Sequence, residues 1–181
     1  DGDIRVVCVT YAYGFSENGK SAMDDNTRDE LRRKGIDVLS TTHVLSGVER
    51  GISSQSKGMY PAEIMAHTLR MFGQGTKVCV EVSIMALDAG LIPYGEKIIA
   101  VGGSAHGADT AAVLTSAHAN RVFQTKIHEI ICKPQSKPST DGGVASVSFC
   151  VSARRGLILL LVLSLVLPTQ PFGDEPVLTA A

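Results

Sequence analysis

The sequence predicts an α/β domain: a three-layer, mostly parallel sheet with helices on both faces. Three observations predict it. Apolar, β-branched runs at residues 4–10, 36–40 and 97–101 recur between stretches of helical character. The first two runs enclose a helix-like segment, and a strand–helix–strand unit of about forty residues implies parallel pairing through a right-handed crossover. The third run ends in Gly102-Gly103-Ser104-Ala105-His106-Gly107-Ala108-Asp109-Thr110, a glycine-rich loop at the carboxyl end of a strand. In open α/β sheets that edge is where ligands sit.

The elements follow in order. Residues 4–10 end in Thr10 and read as a central parallel strand. Residues 11–21, with Gly14 and Gly19, read as a loop. Asp24-Asp25-Asn26 supply capping side chains and negative charge to a helix that runs to about Lys34. Its apolar face is thin, mainly Leu31, and Gly35 takes the position just past its end. Residues 36–40 form a second short strand, followed by Thr41-Thr42-His43. Ser46-Gly47-Val48-Glu49 has the spacing of a capping box, so a helical turn starts there. Pro61 suits the first turn of a helix through Glu63, Ala66, Leu69 and Met71, which Gly73 and Gly75 end. Residues 77–90 fit either period: Val78, Val80, Val82 and Ile84 alternate, while Val78, Val82, Met85 and Ala89 share a helical face. Their length and the Asp88-Ala89-Gly90 ending favour a helix. Residues 110–114 and 127–132 read as two more strands, and Pro134 closes the domain.

This assigns residues 1–134 to the domain and residues 135–181 to a linker and an apolar tail outside the fold. Ser, Pro, Lys, Asp and Gly dominate to Gly143, and an apolar block at 157–167 follows, preceded by Arg154-Arg155 and stopped by Pro168. Roughly a dozen residues at 1.5 Å rise cover about half of a ~30 Å hydrocarbon core, so the block is short for a transmembrane helix. A marginal tail anchor is the alternative. The chain begins at Asp1 rather than Met and reads as a fragment or a processed product.

Composition narrows the function classes. A chain of 181 residues buries an adequate single core. The formal net charge is -1 and charges of both signs are interspersed, which is not the footprint of a nucleic-acid binder. Trp is absent and aromatics are few, so base-stacking surfaces are not expected either. The four cysteines lie far apart without a C-x-x-C pair, and Cys8, Cys79 and Cys132 each fall in an apolar run. They read as buried, reduced thiols in a cytoplasmic compartment, with no metal site.

Several segments resemble a known family. They are 42–50 (THVLSGVER), 69–75 (LRMFGQG), 77–81 (KVCVE), 85–93 (MALDAGLIP) and the glycine loop at 102–110. In this order they are similar to small stand-alone proteins related to the C-terminal α/β domain of pyruvate kinase, over about residues 4–134. The resemblance implies a domain without a kinase barrel that binds a ligand such as flavin mononucleotide. It also implies an earlier strand–helix unit, with a hydroxyl-rich phosphate loop, that is missing here. The tail has no counterpart in that family.

The candidate site is the edge where three strand ends converge. Thr10, Tyr11 and Gly14 follow the first strand, Thr42, His43 and Ser46 the second, and Gly102, Gly103, Gly107, Ala108, Asp109 and Thr110 the third. Hydroxyls and backbone amides there suit an anion. Arg50 offers a guanidinium fork for phosphate, with a solvated helix arginine as the alternative. His43 is the foremost histidine, with a packing role as the alternative. His106 ranks below it, and His67, His118 and His128 lack partners at useful spacing. Glu81, an acid in an apolar stretch, is either a proton-transfer group or a partnered buried carboxylate, the second being favoured. No nucleophile elbow, P-loop or G-x-G-x-x-G occurs. Two functions stay open: a binding domain for a small phosphorylated ligand or flavin, with a homo-oligomer as one assembly, or a small flavin- or phosphate-dependent enzyme.

Overall fold

The structure, a computed structural model, describes residues 4–103, 107–135 and 158–161. The strands are β1 (Val6–Thr10), β2 (Asp37–Ser40), β3 (Lys97–Gly102), β4 (Thr110–Thr115), β5 (Lys126–Cys132) and β6 (Ile158–Leu161). The helices are α1 (Asp25–Arg33), α2 (Gly47–Ser56), α3 (Pro61–Arg70) and α4 (Gln74–Asp88), with a 3-10 turn at Ala119–Gln124. The protein is therefore mixed α/β.

Local chemistry explains most boundaries. Asp24 caps α1: Oδ2 accepts from the Thr27 hydroxyl at 2.6 Å and Oδ1 from the Thr27 amide at 2.9 Å, and these bonds hold its carboxyl below the ordinary range. At the other end Gly35 adopts φ +75°. Its amide donates to the Arg32 carbonyl and the Ile36 amide to that of Leu31, the paired bonds of a Schellman stop. Residues 77–90 resolve as helix, since α4 runs to Asp88 and is buried along nearly its whole length.

Ser46 and Glu49 depart from the expected capping box. Ser46 enters α2 at φ -145° and ψ -97°, and its hydroxyl caps none of the α2 amides. Glu49 instead accepts from the Ala62 amide at 2.7 Å, in the first turn of α3. The acid that was expected to close its own helix ties two helices together.

The sheet has the order β2-β1-β6-β3-β4-β5. β1 pairs in parallel with β2, and β6 pairs in parallel with β1 and with β3. β3–β4 and β4–β5 are antiparallel. The expectation of a mostly parallel sheet is thus corrected at β4 and β5. The reason is connection length, because a parallel return needs a dozen or more residues and the loops either side of β4 are shorter.

The apolar tail needs a correction too. Ile158–Leu161, assigned from sequence to a segment outside the fold, lies between β1 and β3 in register with both. The remainder of 136–181 lies outside the described residues. Among the described residues no helix is long and apolar enough to cross a membrane.

One core cluster joins the sheet to α4. Val7, Val9, Ile98, Ala100, Ala112 and Leu114 pack with Cys79, Val82, Met85 and Ala86. Each fully buried Val, Ile or Leu here contributes about 1.5–3 kcal/mol. Strand residues alternate between faces, so Cys8 and Thr10 project from the side opposite Val7 and Val9.

Candidate functional site

β1, β2 and β3 all run the same way, so Thr10, Ser40 and Gly102 end on one edge of the sheet. α4 starts at that edge too, with Gly75 packed against Gly102 and Thr110. This arrangement delivers the amino-terminal half of α4, where Lys77 and Glu81 lie one turn apart, to the chain that follows β2.

There Glu81 organises a buried polar centre. Its carboxylate is fully enclosed. Oε1 accepts the Leu45 amide at 3.0 Å, and Oε2 lies 3.0 Å from His43 Nδ1 and also takes the Lys77 ammonium. Burial pushes the carboxyl up. The His43 hydrogen bond and the Lys77 charge outweigh burial and hold it below the ordinary 4.5. Glu81 is therefore a partnered carboxylate, as the sequence favoured, and serves as an anchor for the imidazole rather than as a proton donor.

His43 is left half-satisfied. With Nδ1 facing Glu81, its Nε2 is buried and has no hydrogen-bond partner among the described residues. The side chain is 19 % exposed. Tyr11 lies nearly parallel to the ring at 6.0 Å between centroids, and Phe15 stacks on Tyr11 at 4.4 Å. His43 also lines a cleft of about 500 Å³, together with Thr42, Ser46, Gly47, Glu49 and Asp88. A carboxylate-oriented imidazole beside an open volume can accept a proton or donate a hydrogen bond to a ligand.

The sequence-predicted residues thus divide into groups. Thr42, His43 and Ser46 line the cleft, and Tyr11 covers the imidazole. Thr10 lies at the same edge and bonds Ser40 Oγ at 3.1 Å. Gly14, at φ +82°, closes the aromatic loop, its amide donating a hydrogen bond to the Lys20 carbonyl at 2.8 Å. Arg50 is exposed on α2 and does not line the cleft.

The glycine loop makes a separate cluster against α4. A Cβ on Gly102 would stand 2.9 Å from the Gly75 carbonyl, and one on Gly103 would stand 1.8 Å from the Gly107 carbonyl. Space that the sequence reserves for a ligand is taken by the chain itself. Gly107 has φ +75°, whereas Gly103 is not in the left-handed region. The Asp109 amide donates to the Gly102 carbonyl at 2.9 Å, and its Oδ1 accepts from the Thr110 hydroxyl at 2.7 Å. The loop is thus pinned at its base from Gly102 to Thr110, with Ala108 between these anchors. His106 lies outside the described residues.

Sequence reasoning missed three participants. Lys77 carries a legible signal, since it stands four residues before Glu81 on one helical face. His118 has a partner after all, with Nδ1 2.7 Å from Asp88 Oδ1 and its ring stacked on Tyr94. Arg28, on α1, reaches Ser21 and Ser40. Among the described residues no group of His, Cys, Asp or Glu is arranged to hold a metal ion. No family model matches the chain.

Proposed function

We propose that this protein binds a small phosphate-bearing molecule, flavin mononucleotide being the test ligand, at the carboxyl edge of the sheet around His43. In this reading the fold is a three-layer domain like that of the pyruvate kinase C-terminal family, without kinase activity. The observation that carries the reading is the Nε2 of His43, which has no partner among the described residues. A buried ring nitrogen without a partner is costly unless something else completes it. Glu81 fixes the ring so that this one atom remains available, and the ring borders a cleft large enough for a small molecule. The first amides of α2, which no side chain caps, border the same cleft and suit an anion. The stacked Tyr11 and Phe15 offer an aromatic face to a planar ring.

The test is calorimetric titration of the full chain with flavin mononucleotide, alongside the visible spectrum of the purified protein. Binding that weakens about tenfold or more in His43→Ala supports the reading. No binding by the folded wild type overturns it.

A second reading, a small flavin- or phosphate-dependent enzyme, is favoured by the Glu81–His43 pair itself. A carboxylate holding one ring nitrogen while the other has no partner among the described residues is the arrangement of a general base. Turnover of a redox or phosphoryl substrate that is lost in His43→Ala, with ligand still bound, would select it.

A further inference from the structure

Two carboxylates line the cleft that His43 borders, Glu49 from α2 and Asp88 from the end of α4. They differ in what they have left to accept. Asp88 is engaged on both oxygens: Oδ1 lies 2.7 Å from His118 Nδ1, and Oδ2 accepts the Ala119 amide at 3.2 Å. Glu49 is half-buried in the first turn of α2, and its Oε2 accepts the Ala62 amide at 2.7 Å. Among the described residues Oε1 has no donor, and no ion pair there includes Glu49. Because Ala62 lies in the first turn of α3, its amide fixes the carboxylate between two helices.

A charged oxygen with acceptor capacity to spare, held on the wall of a cleft, selects a ligand group that donates. Its neighbours say which group. An ammonium brings three donors and would find one open carboxylate oxygen in this cleft, since those of Asp88 have partners. Beyond His43, the other polar side chains of the wall include the hydroxyls of Thr41, Thr42 and Ser46, which donate and accept alike. A row of ligand hydroxyls answers both needs, one donating to Glu49 while others pair with the threonine and serine hydroxyls. We infer that Glu49 is a specificity residue whose open oxygen accepts from the hydroxyls of a polyol or sugar chain. This inference rests on the reading that a phosphate-bearing molecule occupies the cleft at His43. It narrows that molecule to a phosphorylated polyol or sugar, a class to which the ribityl chain of flavin mononucleotide belongs.

Two measurements on the full chain test it. In the first, calorimetry compares riboflavin with lumiflavin, which carries a methyl group in place of the hydroxylated chain, for wild type and Glu49→Gln. Glutamine keeps the shape and can keep the Ala62 bond through its carbonyl oxygen, but it loses the charge. Riboflavin should weaken by at least about fivefold in Glu49→Gln and lumiflavin should not change. The second needs no variant: the side-chain carboxyl resonance of Glu49 in the wild type is followed during titration with riboflavin and with ribitol 5-phosphate. It should shift saturably, and inorganic phosphate should leave it in place. Unchanged riboflavin affinity in folded Glu49→Gln, or equal weakening of both flavins, overturns the role of Glu49 while the flavin reading stands. A saturable response to ribitol 5-phosphate without binding of either flavin keeps the role of Glu49 and ends the flavin reading. A resonance that responds to neither probe, or that inorganic phosphate shifts as far, overturns the inference even if Glu49→Gln fails to fold.

Discussion

His43 and Glu81 meet at 3.0 Å across a buried boundary between the segment after β2 and the middle of α4. Neither residue is placed by its neighbours in sequence alone. The Leu45 amide and the Lys77 ammonium complete the coordination of the carboxylate, so three donors from two chain segments, residues 43–45 and α4, converge on one acid.

That convergence makes the domain acid-sensitive. The folded carboxyl is held below its ordinary 4.5, so between the two values the unfolded chain binds the extra proton. The stabilisation is fully present above about pH 4.5 and is lost as pH falls through the lower folded value. Urea unfolding followed from about pH 6 down to about pH 3 should show this loss, and Glu81→Gln should flatten it. Glu81→Ala should cost about 3–5 kcal/mol at neutral pH, because it leaves the Lys77 charge buried without its partner.

Gly75 and Gly51 should respond oppositely to alanine. In a helix the exchange ordinarily stabilises by about 0.5–1 kcal/mol. At Gly51 the new Cβ meets nothing within 4 Å, so Gly51→Ala should show that gain. At Gly75 it would stand 2.0 Å from Thr110 Oγ1 and 2.4 Å from Thr110 Cβ, so Gly75→Ala should destabilise by about 1–3 kcal/mol. Thermal melts of the two variants check the opposite signs.

Cys79 should be inert in the folded protein. Burial pushes its thiol up to about 12, and its Sγ lies 3.3 Å from the Ala100 carbonyl. Thiolate is the reactive form, so labelling at about pH 8 should occur only through unfolding. Peptide mapping after brief exposure to a thiol reagent should find Cys79 unmodified and the half-buried Cys132 labelled before the buried Cys8 and Cys79.

Removing residues beyond 137 should lower the melting temperature by several degrees. The deletion removes β6 and leaves β1 and β3 with unpaired edges facing each other. An unchanged melting temperature would mean that β6 contributes nothing to the sheet.

The parts that were legible in the sequence are those decided locally. Asp24 and Gly35 announce the ends of α1 because capping depends on a few adjacent residues. The direction of β4 and β5 was missed because β-branched composition does not encode strand direction; the short connections do. β6 was missed because an apolar block behind a polar linker looks the same whether it pairs or not. Lys77 could have been found from its spacing to Glu81, whereas the His43–Glu81 contact joins positions 38 apart and leaves no periodic trace. The glycines at 102 and 103 signalled close approach correctly, but the approaching group is the backbone of Gly75 and Gly107.

The place of β6 has a consequence for how the chain assembles. β1–β2 and β3–β4–β5 are each built from segments near one another in sequence, so each half can form early. They are joined along the sheet by pairings such as Val6 with Leu159 and Ile98 with Ile158, which close only after the whole intervening chain has been searched. Along the sheet, β6 is thus the keystone between the two halves, which share one core through α4. Until β6 pairs, β1 and β3 carry open edges, and an apolar strand from another copy of the chain can compete for the same slot.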